Sequence, residues 1–375
     1  MAGLSPRVRP ALLVAAAVWA AVILATAAHK SGDLPPQLAQ AERLLRGEPL
    51  YTAPPSLGAW WPPFTAALLA PFALVARTSL PLAKAAWAAL GVAGVAWSVQ
   101  AIGRRWGWPA ALVPLLVLAR PVHNNFEHGQ ITALLVTLVV AAIVDLDRGR
   151  ERRAGTWIGA AAAAKAFPGL LLLSLALTRR WRGLAVGVAV AAALTVGAML
   201  PYGLPEALAG TWRWFALSAG APGTEGLAMQ KLGRLVGALN GGLVPLAAAH
   251  VALVGALGAT LLRRRPPDGP LYELGTVTLV AVLLSPIGWF YYFGLLLPAG
   301  AAAVRHLPPP PHRRPWLVVL IAAGLLVSGS LRLVPWPASL AFVTRENDTV
   351  GALLLLGALL GLRWRREPAP VPEPV

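Results

Sequence analysis

The residues able to do chemistry in this chain are few and gather at particular places. Asp33 stands in "HKSGDLPPQ", just behind the first apolar stretch. A carboxylate so placed can take the proton of a weak nucleophile as a bond forms. The segment "PVHNNFEHGQ" packs His123, Asn124, Asn125, Glu127, His128 and Gln130 into a few positions, a dense set of hydrogen-bonding groups. Lys165 is a lone cation in "AAAAAKAFPG", and Arg213, Gln230, Lys231 and Arg234 lie in the polar stretch 201–240. Cations of this kind can hold an anion and stabilise charge that develops on it. "LLSPIGWFYYF" places Trp289, Tyr291 and Tyr292 at a junction between apolar blocks.

Each feature also has a plain structural account. Asp33 can cap a helix or sit in water, and Lys165 can snorkel to lipid headgroups. The Asn and His residues can cap a loop, and the tyrosines can belong to an interfacial aromatic belt. Asp145 and Asp147 spell "DLD", which resembles a metal-binding pair, but they run into "RGRERR" and read better as a solvated helix terminus. No His and carboxylate spacing suggests a tight zinc site, and His250 falls mid-helix as a buried hydrogen-bonding residue. No cofactor is implied, and a divalent metal is left open. Without cysteine, thiol and disulfide chemistry are excluded.

The elements that must position these residues follow from composition. Of 375 residues, 57% are hydrophobic and 13% charged. A soluble fold of this size cannot hide so much apolar surface. The apolar residues form blocks at 11–28, 61–76, 82–103, 108–121, 130–146, 154–166, 168–178, 183–200, 241–262, 271–286, 289–304, 316–334 and 350–362. Many approach the roughly 20 residues that span a bilayer core. The net charge of +17 resides largely in short basic loops between blocks, which set orientation and give no reason to invoke nucleic acid. These loops are Arg7 and Arg9, Arg104 and Arg105, "DRGRERR", "TRRWR", the arginines 263–265, Arg305 with Arg313 and Arg314, and "RWRR". All can be cytoplasmic only if block 61–76 lies on the outer face as a juxtamembrane helix and 154–178 splits into two short helices at Lys165 and Pro168.

The expected fold is therefore an all-α polytopic membrane protein with about twelve transmembrane helices, both termini cytoplasmic, in the cell inner (plasma) membrane. Residues 1–366 form a single domain, with 29–81 an outer loop carrying the juxtamembrane helix. Residues 367–375 are a disordered cytoplasmic tail. The first helix is read as uncleaved, although small residues before His29 also suit a signal peptide. No internal repeat is visible. Under this topology Asp33, loop 121–129, the Lys165 bend, loop 201–240, the 286–292 junction and loop 335–349 share the outer face, where irregular backbone requires a protein-lined or water-filled cavity.

The ordered set of motifs resembles glycosyltransferase family 87, the polyprenyl-phosphate-mannose-dependent mannosyltransferases of the GT-C fold. It runs from Asp33 and "LLRGEPLY" through "WWPPFTAALLAPFALV", "HGQITALL" and "AGTWIGAAAAAKAFPGLLLL" to "SPIGWFYY". Two departures stand out. Tyr291 and Tyr292 occupy the place where the family often has His, and "AMQKLGRL" lacks the usual Asn-Gln-Ser run.

The resemblance implies a GT-C-like fold and a sugar donor carried on a polyprenyl phosphate. It implies transfer of mannose, with inversion, to a hydroxyl of a lipid or glycan acceptor at the outer face. Asp33 is then the general base. Lys165, Arg234 and Lys231 would supply charge to the phosphate, and Asn125, His128 and Gln130 would bond phosphate or sugar. Trp289, Tyr291 and Tyr292 would pack against sugar or lipid. A donor carrying glucose or arabinofuranose, and a transporter or flippase of lipid-linked intermediates, are the alternatives. A non-catalytic assembly subunit is a weaker one.

Overall fold

The computed structural model describes residues 8–30, 32–51, 61–219, 231–238, 243–262, 269–285, 288–333 and 341–364. Every regular element among them is helical. The α-helices are α1 (Val8–His29), α2 (Leu34–Arg46), α3 (Pro63–Ala76), α4 (Leu80–Trp106), α5 (Trp108–Val117), α6 (Ala119–Glu127), α7 (Thr132–Asp147), α8 (Glu151–Ala164) and α9 (Leu170–Leu177). They continue with α10 (Trp181–Gly197), α11 (Leu204–Ala219), α12 (Lys231–Ala238), α13 (Leu243–Leu261), α14 (Gly269–Leu284), α15 (Leu297–Arg305), α16 (Arg313–Val327) and α17 (Ala341–Trp364).

Burial follows the apolar pattern from inside out. α14 is buried on all sides from Leu271 to Leu283, as a helix apolar all round must be. It packs with α7 and α15 around Leu135, Ile143 and Phe293. Peripheral helices instead present apolar side chains outward: Val14 and Val18 on α1, Leu116 on α5, Val251 on α13 and Val318 on α16. Outward Val and Leu on helix after helix is the surface of a protein solvated by lipid rather than water.

By length and apolarity, α4 alone qualifies among the described residues as a membrane-crossing helix, and α1 with α2 forms a second candidate bent by 67°. The other apolar helices there run to 10–17 residues. Proline explains part of this shortness. Pro71 lies inside α3 and Pro114 inside α5, and each removes a backbone donor from its helix.

Several expectations are corrected. The polar stretch 121–129, read as a loop, is largely the short helix α6, and its amphipathic pattern buries Val122, Asn125 and Phe126. The stretch 201–240 contains α11 and α12, and residues 341–349 of the expected loop 335–349 open α17. Of the two aspartates of "DLD", Asp145 is not solvated. Asp145 is buried and accepts from Trp157 Nε1 at 2.9 Å, with Arg153 at 3.4 Å and Arg150 at 3.7 Å, while Asp147 pairs with Arg105. His250 is half-buried, with Nδ1 2.7 Å from the Leu246 carbonyl. The tail 367–375 lies outside the described residues.

The break at Lys165 is as expected. α8 stops at Ala164, Lys165 is extended (φ −156°, ψ 132°), and a 3₁₀ turn at Phe167–Gly169 leads into α9. α8 and α10 approach backbone to backbone. A Cβ on Gly155 would run into the Gly183 carbonyl, and one on Gly159 into that of Gly187. Gly155→Val is therefore expected to destabilise the protein by about 1–3 kcal/mol through overpacking. Thermal unfolding in detergent tests this, and an unchanged midpoint would show that the two helices can separate freely.

Candidate active site

One end of the bundle collects the chemical residues. Asp33 precedes α2, whose start is fixed by Leu34, buried at 1% exposure, and by prolines in the first turn. The Asp33 N–H donates to the His128 carbonyl at 2.9 Å, and its Oδ2 accepts from Gln130 Nε2 at 2.8 Å. The first residues of α2 are thus bound to the turn between α6 and α7. Gly129 makes that turn in the left-handed region (φ +62°), and its carbonyl accepts from Trp87 Nε1 at 2.9 Å.

Lys165 enters from the opposite wall and is 7% exposed. Its ammonium lies 5.0 Å from the Trp61 ring centroid and 5.8 Å from that of Tyr292, within the range of cation–π attraction. A chain of contacts joins the two: Asp33 is bonded to His128, the His128 ring lies against Tyr291, Tyr291 against Tyr292, and Tyr292 under the Lys165 ammonium. Trp61 is held from both sides of the sequence: its carbonyl accepts from Tyr51 Oη at 2.8 Å, and Thr65 Oγ1 donates to the Ala164 carbonyl at 2.7 Å. That second bond ties α3 to the residue just before Lys165.

The aromatic junction closes the space. Tyr291 meets Tyr292 edge-on at 4.9 Å, and Tyr292 packs on Phe167 at 5.0 Å. Tyr291 lies 5.8 Å from the His128 ring and stacks on Trp289 at 6.2 Å. Trp289 is 46% exposed, whereas both tyrosines are buried.

Two acceptors here have no partner. Asn125 Oδ1 and Gln130 Oε1 are buried without a hydrogen bond, although both residues are nearly inaccessible. Buried polar atoms are rarely left so, and oxygens of this kind suit hydroxyl donors of a ligand. Behind Gln130, Lys30 and Glu127 pair at 3.1 Å, and Asn124 Nδ2 donates to Glu127 at 3.2 Å. Partial burial works to raise the Glu127 carboxyl. The hydrogen bonds from Lys30 and Asn124 outweigh it and leave the group below the usual carboxylate range.

The structure thus joins Asp33, Asn125, His128, Gln130, Lys165, Trp289, Tyr291 and Tyr292. Arg234 pairs through its guanidinium with Glu346 at 2.8 Å, on α12 and α17. α12 packs on α14, which in turn packs on the Phe167–Gly169 turn that follows Lys165. Lys231 opens α12, and its side chain and Gln230 lie outside the described residues. Sequence reasoning gave Trp61 no part in the cluster beyond an interfacial role, and it did not single out Glu346. Asn347 beside Glu346 is 1% exposed with neither amide atom partnered. Among the described residues no group of three or more His, Cys, Asp or Glu gathers as a metal site.

The profile of glycosyltransferase family 87 matches residues 60–286. The chain belongs to glycosyltransferase family 87. The matched stretch includes Asn125, His128, Gln130, Lys165, Lys231 and Arg234, while Asp33 precedes it and Trp289, Tyr291 and Tyr292 follow it. A polyprenol-phosphate-mannose-dependent alpha-(1-2)-phosphatidylinositol mannoside mannosyltransferase of Mycolicibacterium smegmatis is 33% identical over 138 residues. That alignment takes in 32% of this chain and 30% of the relative, less than a third of the relative's length. In three dimensions the chain is similar to the crystal structure of ArnT from Cupriavidus metallidurans in the apo state. The TM-score is 0.50 at 18% identity, covering 95% of this chain and 78% of that one. This likeness shows the fold alone. The family 87 chain is thus an all-helical membrane glycosyltransferase.

Proposed function

We propose that this family 87 enzyme transfers mannose from a polyprenyl-phosphate-mannose donor to a hydroxyl of a lipid or glycan acceptor, with inversion. The reaction takes place at the outer face of the cell inner membrane. In this reading about twelve helices cross the bilayer. Both termini are cytoplasmic, residues 1–366 form one domain, and α3 lies along the outer leaflet. The observation that carries the reading is the chain of contacts that runs from Asp33 through His128, Tyr291 and Tyr292 to Lys165.

An acceptor hydroxyl is a weak nucleophile at neutral pH. Asp33 takes its proton as the new glycosidic bond forms, and Gln130 fixes the carboxylate through Oδ2. The bond that breaks joins the anomeric carbon to the phosphate oxygen. The departing phosphate is already a stable anion and needs charge more than a proton. Lys165 supplies that charge, with Arg234 and Lys231 proposed to complete the phosphate site as the acceptor and donor assemble. Asn125 and Gln130 offer their unpartnered oxygens to sugar hydroxyls, and His128 bonds phosphate or sugar. Tyr291, Tyr292 and Trp289 pack against the sugar and the first isoprene units. No cofactor takes part in this scheme.

The mycolicibacterial relative, a polyprenol-phosphate-mannose-dependent mannosyltransferase, supports the choice of a mannosyl lipid donor. Membranes containing this chain, incubated with radiolabelled polyprenyl-phosphate-mannose, are expected to yield a labelled lipid or glycan. Label transferred only from a glucosyl or arabinofuranosyl lipid would reassign the sugar. That outcome has a structural motive, because tyrosines replace the family's frequent His. Label carried unchanged across sealed vesicles would replace transfer by transport.

A further inference from the structure

The end of the bundle opposite Asp33 holds a second feature. The turns joining α7 to α8 and α9 to α10 are built alike. In the first, Gly149 is left-handed (φ +72°) and the Arg150 N–H donates to the Asp145 carbonyl at 2.8 Å. In the second, Arg179 takes the same place at φ +58° and the Arg180 N–H donates to the Leu175 carbonyl at 2.8 Å. Arg179 is the one non-glycine residue with positive φ among the described residues. Glycine adopts that conformation without strain, so an arginine there calls for a role of its own side chain.

The glycine contact between α8 and α10 sets the two turns side by side. Between them lies a groove of about 670 Å³, lined by Arg150, Arg152, Arg153, Arg179, Arg182 and Trp181. Glu151 is the acidic residue on its wall. Asp145 pairs with Arg150 and Arg153, whereas Arg152, Arg179 and Arg182 have no ion pair among the described residues. Three free guanidinium forks around one cavity are suited to phosphate oxygens. Charge that merely orients a membrane protein needs neither a cavity nor an arginine in a glycine conformation.

The surroundings select the source of the phosphate. Trp181 stands 60% exposed at the rim, and directly along α10 the exposed residues Ala185, Val188, Ala189 and Ala192 form an apolar strip. A headgroup in the groove would leave its acyl chains on that strip, with Trp181 at the headgroup level. We infer that the groove between the α7–α8 and α9–α10 turns binds the phosphate headgroup of an anionic phospholipid. The length of α8, about 21 Å at 1.5 Å per residue, separates it from Lys165, so it is distinct from the donor site.

The full chain, purified in a zwitterionic detergent, is tested with phosphatidylglycerol, phosphatidylcholine and inorganic phosphate by native mass spectrometry and thermal unfolding. Phosphatidylglycerol is expected to bind and raise the unfolding midpoint, with phosphatidylcholine at least about tenfold weaker. Arg179→Gly is expected to raise the midpoint of the lipid-free protein, by relieving the turn, and to lose most of the phosphatidylglycerol shift. Arg152→Gln with Arg182→Gln should lose the shift as well. A purely structural arginine would not produce opposite effects on the two readings. Equal binding of the two lipids, a full shift in Arg179→Gly, or displacement of the lipid by millimolar phosphate would each overturn the assignment. None of these outcomes depends on which sugar the enzyme transfers.

Discussion

Asp33→Asn is expected to abolish sugar transfer, by about 10²–10⁴-fold or more, while the protein inserts and folds normally. Asparagine has the shape of aspartate. Its side-chain oxygen can still accept from Gln130 Nε2, and the Asp33 N–H bond to the His128 carbonyl is a backbone contact that the change does not touch. What is lost is the ability to receive a proton. Turnover should therefore collapse with little change in donor affinity. Elution of the variant as a single species, with an unchanged unfolding midpoint, establishes that the fold is intact. Full activity in a membrane assay with labelled donor would remove Asp33 from the reaction.

The expectation that Asp33 and Lys165 lie at the same end of the bundle came from parity in the sequence. If the basic clusters at Arg104–Arg105, "DRGRERR" and "TRRWR" share one side, the ends of α1 and α8 fall on the other. In the structure Asp33 binds Gln130, and Lys165 connects to the same turn through Tyr292, Tyr291 and His128. The break at Lys165 was equally readable, since Pro168 forbids a continuous helix and a lone cation marks where it ends.

Long-range pairings left no such mark. Trp61 looks like any interfacial tryptophan until Tyr51 and Thr65 are seen to lock its neighbourhood against the end of α8. Arg234 and Glu346 lie on helices far apart in the chain, and no periodicity relates them. α6 was misread for a different reason. Asn and His are weak helix formers, and the helix owes its stability to packing Val122 and Phe126 against neighbours rather than to propensity. The arginines at 150–153 and 179–182 had a sufficient explanation in topology. Only their arrangement around a cavity, with Arg179 in a glycine conformation, asks for more.

Lys165→Met should lower turnover by about 10²–10³-fold, the usual loss when one preorganised charge is withdrawn from a transition state. Methionine keeps the length of the stem and its packing against Trp61 and Tyr292, so the aromatic walls stay filled. The loss should fall on the step in which phosphate departs. Lys165→Arg is expected to recover only part of it, because a planar, delocalised guanidinium places its charge differently from a compact ammonium. Asp33 and Lys165 interact, so their effects should not add: Asp33→Asn with Lys165→Met should be far less impaired than the product of the single losses predicts. Independent, fully additive losses would show that the two groups do not act together in the transition state. Unchanged kinetics in Lys165→Met would mean that this cation serves the membrane interface and that the phosphate is held by other residues, Arg234 foremost among them.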